Sequence, residues 1–317
     1  MIITSCPLRI SLVGGSTDTP AFLQKYKRGA VISLACNLRT FVILHKDVLG
    51  SNVVNSKFIL DYRNKESVST TDEIKNELIK NCFEFLEVND PINCMLTADI
   101  FSVGSGLAAS SSYVMALVKS IFELRNISIS DNEVRIISRN IERRFNPLVG
   151  DQDFYGSVGG LKHINFYENG APTIEFLNTN IFKKMNMYLM YSTISRRSTT
   201  VLNTIDVDKS VTLLQDVEDL YDSIACENVT QFNKIMSRSW ENKKETSPYL
   251  CSNETLMMLD KMLCDDKDVL SHKLCGAGGG GYFLIFSDSR VDLTKKLGYK
   301  NIKQIFISNA GLTTARL

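Results

Sequence analysis

The chain has 317 residues, 44% hydrophobic and 22% charged, which excludes a disordered polypeptide. A length of this order suits two domains of roughly 150 residues each. Lys and Arg number 36 against 35 Asp and Glu, and the net charge of +1 excludes a globally basic, nucleic-acid-binding surface.

The N-terminal Met-Ile-Ile-Thr-Ser-Cys-Pro has neither a basic start nor a long apolar core, so no signal peptide is expected. Ala30–Val31–Ile32–Ser33–Leu34 and Thr40 to His45 are β-branched and aromatic-rich and predict strands. The apolar run Ala30 to Leu44 is broken by Asn37 and Arg39, short of the roughly 20 residues of a bilayer span. Thr70 to Glu87 predicts a helix: Thr70 and Glu73 form a capping box, and Ile74, Leu78, Cys82, Phe85 and Leu86 form a stripe. Ile92 to Val103 is strand-like and leads into Gly104-Ser-Gly-Leu-Ala-Ala-Ser-Ser-Ser112. A helix follows, with Val114, Leu117, Val118 and Ile121 on one face. Ser130 and Glu133 cap the next helix, with Val134, Ile137 and Ile141 inward, and Asn146-Pro147 ends it.

After Gly159-Gly160, two strands flank a hairpin turn at Asn169-Gly170. Lys183 to Ser192 predicts a strand that opens a second domain, which divides the chain into 1–180 and 181–317. Helices then carry the stripes Leu213, Val217, Leu220, Ile224 and Phe232, Ile235, Met236, Trp240. Gly276-Ala-Gly-Gly-Gly-Gly281 is a second glycine-rich turn, entering the strand Tyr282-Phe-Leu-Ile-Phe. Strands and helices mix without strict alternation, so the class is α+β. Eight scattered cysteines without a C-x-x-C pair and three distant histidines fit reduced thiols in a cytoplasmic protein, with no zinc site expected.

Four segments carry chemistry. Gly104 to Ser112 sits between a strand and a helix start, where free N–H groups and the positive end of the helix dipole favour an anion. Hydroxyls at Ser110, Ser111 and Ser112 add donors or a magnesium ligand. A tight serine-capped turn explains the segment equally well. It is not a Walker A loop, for no G-x-x-x-x-G-K-[ST] occurs. Gly104, Gly106 and Ala109 match a dinucleotide fingerprint, but the acidic residue needed about 20 positions on is absent: Glu123 falls inside the predicted helix. Glu142 and Asp153, 11 positions apart, can be a metal ligand and a proton acceptor. Glu142 can equally be a surface glutamate paired with Arg139 or Arg143. Arg9 lies inside an apolar strand pattern, and Asp18 follows Gly14-Gly15 as a turn residue or a hydroxyl-binding carboxylate. Five glycines in six positions at 276–281 cost chain entropy and point to close approach of another backbone or a ligand.

Taken together, Arg9 in a P-x-R-I strand, Gly104-Ser-Gly-Leu before a serine run, and the 276–281 loop resemble the three ordered motifs of the GHMP small-molecule kinases. That resemblance implies two domains, the first like ribosomal protein S5 domain 2 and the second ferredoxin-like, with the active site between them. Arg9-Ile-Ser-Leu-Val-Gly-Gly-Ser-Thr-Asp18, Gly150-Asp-Gln-Asp-Phe-Tyr, Ile194-Ser-Arg196 and Trp240-Glu-Asn-Lys-Lys244 resemble its branch acting on the anomeric oxygen of D-glycero-D-manno-heptose 7-phosphate. The resemblance implies ATP and Mg²⁺ as cofactors, with Gly104, Ser105, Gly106, Leu107, Ala108, Ala109, Ser110 and Ser111 on the nucleotide. It implies Ser110 and Glu142 on the metal, and Asp153 with Arg9 beside it as the catalytic pair. Substrate contacts fall to Gly14, Gly15, Ser16, Thr17, Asp18, Asp153, Arg196, Gly278 and Gly279. Arg28, Arg196, Arg197, Lys243 and Lys244 are the cations available for a substrate phosphate, Arg196 favoured by the resemblance.

The implied partner is a small sugar phosphate, with no nucleic acid or membrane, and nothing in the sequence reports an oligomeric state. Alternatives are a kinase for an unphosphorylated fucose- or galactose-type sugar, or a non-catalytic sugar- and ATP-binding regulator. Galactokinase is less favoured because that branch carries Glu-His-Thr-Asp where residues 15–18 read Gly-Ser-Thr-Asp. The chain departs from the pattern at Ala108 and Ala109, which replace Gly and Ser/Thr. It also departs at Asp151, where Lys is frequent, and at Ser192-Thr193, in place of Thr-Gly.

Overall fold

The computed structural model describes residues 1–47, 56–195, 201–296 and 299–317. Two sheets organise it. The first strand, β1 (Ile2–Val13), pairs along its length with β2 (Arg28–Lys46). Strand β2 joins the two predicted strands into one of 19 residues. Its first half pairs with β6 (Leu161–Tyr167) and its second half with β5 (Ile92–Ala98). Strands β3 (Phe58–Asp61) and β4 (Lys65–Val68) extend the sheet beyond β5, and β7 (Gly170–Phe176) pairs with β6. The second sheet has the order β11-β8-β10-β9, formed by Ile302–Ile305, Met185–Tyr191, Tyr282–Asp288 and Val269–Leu274, all antiparallel.

The sheet changes near residue 180, between β7 and β8. A block running to 317 does not describe the end of the chain, however. Cys36 bridges Ile307, and the last strand, β12 (Thr313–Arg316), pairs with β1. The exposed edge of β1 offers unpaired N–H and C=O groups, and the C-terminal segment satisfies them.

Both faces of the β1–β2 pair are covered, which explains why the strands read as near-continuous apolar runs. On one face Val31, Val42 and Leu44 meet the helices α2 (Glu77–Phe85), α3 (Ala109–Leu124) and α4 (Asp131–Phe145). On the other, Leu8, Ile10, Ile32 and Leu34 meet residues of the second sheet and of helices α6 (Thr212–Ala225) and α7 (Val229–Glu245). The short helix α1 (Pro20–Tyr26) links β1 to β2, α5 (Gln152–Gly156) lies between α4 and β6, and α8 (Glu254–Asp265) precedes β9. No helix among the described residues is long and apolar enough to cross a membrane.

The helix expected over 70–87 starts late. Glu73 does accept from the Thr70 N–H at 3.1 Å, but this box closes only a single 3₁₀ turn, Thr71–Glu73. Ile74 is extended, and Asn76 caps the true start by accepting from the Ile79 N–H at 3.1 Å. With that register Ile79, Cys82 and Phe83 are buried and Phe85 is exposed. The Ser130–Glu133 box, in contrast, opens a full helix.

Candidate active site

Arg9 is carried by the central strand β1 and is 4% exposed. Its guanidinium donates to Asp153 Oδ1 twice, from Nε at 3.0 Å and Nη2 at 2.5 Å, and from Nη1 to the Gly106 carbonyl at 3.0 Å. One cation thus ties the glycine-rich loop to the first turn of α5, across 144 positions of sequence. Both Arg9 contacts fall on Oδ1, so Oδ2 of Asp153 is left unengaged among the described residues.

Through the loop, Gly104, Gly106 and Ala108 all have positive φ, of 65°, 78° and 58°. Alternation of this kind gathers backbone N–H groups into an anion-binding concavity. Ala108 occupies the N-cap of α3 and has no side-chain acceptor, so the first-turn N–H groups of a 16-residue helix are uncapped by any side chain. The second glycine cluster buttresses this loop. A Cβ on Gly106 would stand 2.4 Å from the Cys275 carbonyl oxygen, and one on Gly276 would stand 2.6 Å from Gly106 Cα. The two glycine-rich turns therefore touch backbone to backbone, which is why both need glycine.

Glu142, in the last turn of α4, is buried. Burial pushes its carboxyl up to about 7, against the pull of the Ser111 and Ser110 hydroxyls, and the neighbouring Asp153 charge adds to the rise. Its Oε2 and the Ser111 Oγ have no hydrogen-bond partner among the described residues. The surface pairing with Arg139 or Arg143 does not form, because both arginines donate to Asp151 at 3.2 Å. Asp151 thereby neutralises two cations instead of entering the cleft.

Asp18 is buried as well, accepting from the Gln152 backbone N–H at 2.9 Å and its amide Nε2 at 2.7 Å. Burial raises its carboxyl to about 6 despite those bonds. Next to it, Ser16 takes a left-handed backbone conformation, and its hydroxyl accepts from Lys243 Nζ.

Arg9, Gly14, Gly15, Ser16, Asp18, Gly104, Ser105, Gly106, Ala108, Ala109, Ser110, Glu142 and Asp153 line one open cavity of about 480 Å³. The other predicted contacts lie elsewhere. Thr17 is buried, bonding the Gly14 and Ala30 carbonyls, and braces the turn. Leu107 belongs to the apolar core, and Ser111 sits behind the cavity against Glu142. Gly278 packs on Leu250 and Gly279 donates to its carbonyl at 2.7 Å, so neither reaches the cavity; Gly276 and Ala277 do. Arg196 and Arg197 lie outside the described residues. Sequence reasoning missed Gln152, which holds Asp18, and Lys273, a second cation inside a strand that lines the cavity. The signal for Lys273 was the same as for Arg9.

Residues 77–160 match the GHMP kinases N terminal domain. The chain carries the glycine-rich loop, Glu142 and Asp153 inside this matched segment and is there similar to the GHMP kinases. Over 96% of its length it is 27% identical to D-glycero-alpha-D-manno-heptose 7-phosphate kinase of Campylobacter jejuni, covering 93% of that protein. It is 25% identical, over 89% of its length, to 29% of the bifunctional fucokinase/GDP-fucose pyrophosphorylase of Arabidopsis thaliana. Its fold is similar to a D-glycero-D-manno-heptose 1-phosphate kinase from Bacteroides thetaiotaomicron, with TM-score 0.75 and 18% identity over all of this chain and 99% of the other. Members of this kinase family use ATP, generally with Mg²⁺. The orphaned Glu142 oxygen beside Ser110 and Ser111 fits a hard cation, which prefers oxygen ligands.

Proposed function

We propose that this protein is a GHMP kinase that transfers the γ-phosphoryl group of ATP to the anomeric hydroxyl of D-glycero-D-manno-heptose 7-phosphate. The product is the 1,7-bisphosphate, made for nucleotide-activated heptose and surface polysaccharide in the cytoplasm. The observation that carries the reading is Asp153, fixed through one oxygen by Arg9 and open at the other, in the same cavity as the glycine-rich loop and Glu142. Glu142 and Ser110 are the residues to hold Mg²⁺, which supplies charge neutralisation on the phosphates when bound.

The turn at Gly14, Gly15 and Ser16, together with Asp18, orients the sugar. Asp153 Oδ2 accepts the hydroxyl proton while the sugar oxygen bonds to the γ-phosphorus and the bond to ADP breaks. Arg9 holds the carboxylate in place and, through the Gly106 carbonyl, keeps it in register with the phosphate loop. Phosphoryl transfer depends chiefly on such positioning and on charge neutralisation.

A second reading, a fucose-type sugar without a phosphate, is supported by the similarity to the Arabidopsis fucokinase. Steady-state turnover with ATP and Mg²⁺ on heptose 7-phosphate, fucose and galactose tests both. Turnover confined to an unphosphorylated sugar overturns the first reading, and ATP binding without turnover on any of them favours a non-catalytic regulator.

A further inference from the structure

Of the cations set out for a substrate phosphate, Arg28 is engaged at the surface by Asn165 and Glu218, and Lys244 by Asp260 and Glu241. Lys243 turns the other way, into the cavity, where Lys273 of β9 joins it. Both are buried, 6% and 8% exposed. An ammonium has three N–H donors. Lys243 uses two, on the Gly15 carbonyl at 2.9 Å and Ser16 Oγ at 2.5 Å, and Lys273 uses two, on the Ser11 and Leu12 carbonyls at 3.1 and 2.7 Å. Every one of those partners is neutral, and neither lysine forms an ion pair with a described residue.

Resting on the reading above that a sugar is the acceptor, we infer that Lys243 and Lys273 form the subsite for a phosphate ester carried by that sugar. Two buried cations without a carboxylate partner repel one another and lose hydration, a cost that a dianionic ligand offsets. Burial lowers Lys243 to about 7 and Lys273 to about 8, and the Lys273 charge adds to the lowering at Lys243. The position selects the sugar over the nucleotide. Lys243 grips the Gly15–Ser16 turn and feels the charge of Asp18, and Lys273, though it also feels Arg9, bonds the Ser11 and Leu12 carbonyls that lead into that turn.

The test is the preference ratio, kcat/KM on heptose 7-phosphate divided by kcat/KM on the unphosphorylated heptose, in the wild type and in Lys243→Met and Lys273→Met. Each variant is expected to lower the ratio by roughly 100-fold, through KM for the ester, with KM for ATP unchanged. An unchanged ratio overturns the inference, as does a rise confined to KM for ATP, which transfers the lysines to the nucleotide. A wild type without preference overturns the heptose-phosphate reading as well; a preference retained by both variants overturns this inference alone. Inorganic phosphate tests the wild type directly should a variant not fold. Inhibition competitive with the ester and not with ATP supports the subsite, and any other pattern refutes it.

Discussion

Glu142 and Asp260 are both buried carboxylates on helices, and their surroundings are opposite. Asp260, on α8 outside the cleft, lies 2.8 Å from His272 Nε2 and accepts from Trp240 Nε1 at 2.7 Å and Lys244 Nζ at 3.0 Å. Burial alone would raise its carboxyl, yet these partners draw it down to about 2. Glu142 keeps an unpartnered oxygen and is pushed up to about 7. The adjacent lysines repeat the contrast: Lys244 joins the Asp260 cluster, and Lys243 faces the cavity on neutral partners. A cluster that is internally satisfied holds the fold together. One that is left frustrated at a cavity wall is stabilised by what binds there.

The largest effect belongs to the proposed catalytic pair, Asp153 and Arg9. Asp153→Asn is expected to lower kcat by roughly 10²–10⁴-fold with little change in KM for the sugar, the range of general-base assistance. Near-wild-type turnover would remove Asp153 from that role.

Glu142→Gln should separate function from stability, abolishing turnover while stabilising the metal-free protein by roughly 3 kcal/mol at pH 8. The folded carboxyl stays protonated up to about 7, above the ordinary value, so its cost grows as pH rises through that window. The gain must therefore vanish near pH 4, which urea melts at the two pH values check. A gain that persists at low pH contradicts the assignment.

Asp260→Ala is the converse: a loss of about 2 kcal/mol at pH 7, moderated by residual solvent contact, with kcat of the folded enzyme intact. Because the folded carboxyl is depressed to about 2, that contribution is present above the unfolded value and fades as pH falls from about 4 toward 2. Denaturant midpoints of variant and wild type should converge in acid.

The smallest effects concern two departures from the family pattern. Ala108 and Thr193, where glycine is usual, hold φ of 58° and 64°. Ala108→Gly and Thr193→Gly should each stabilise by about 1 kcal/mol by relieving left-handed strain, read as a shift in urea midpoint.

Much of the cleft was legible as local pattern. The strand-to-helix glycine turn at 104–112, the Ser130 cap, and the stripes on α6 and α7 depend on periodicity and backbone chemistry, which neighbours in sequence determine. The false start at Thr70 shows the limit, since a capping box satisfies two N–H groups but cannot extend a helix through an extended Ile74. Likewise, a lone Glu142 reads as surface charge until Asp151 is seen to occupy both nearby arginines.

The near-neutral sequence by itself determined that any phosphate site here rests on a few placed cations and backbone N–H groups, along with the elements that carry them. Only the tertiary structure decided which ones. Sheet register brings Arg9 to Asp153 across 144 positions, the return of β12 to β1 closes the first sheet, and the rotation of α7 sends Lys243 inward and Lys244 to Asp260. Those choices follow from burial and charge balance among elements far apart in the chain, and no local pattern encodes them.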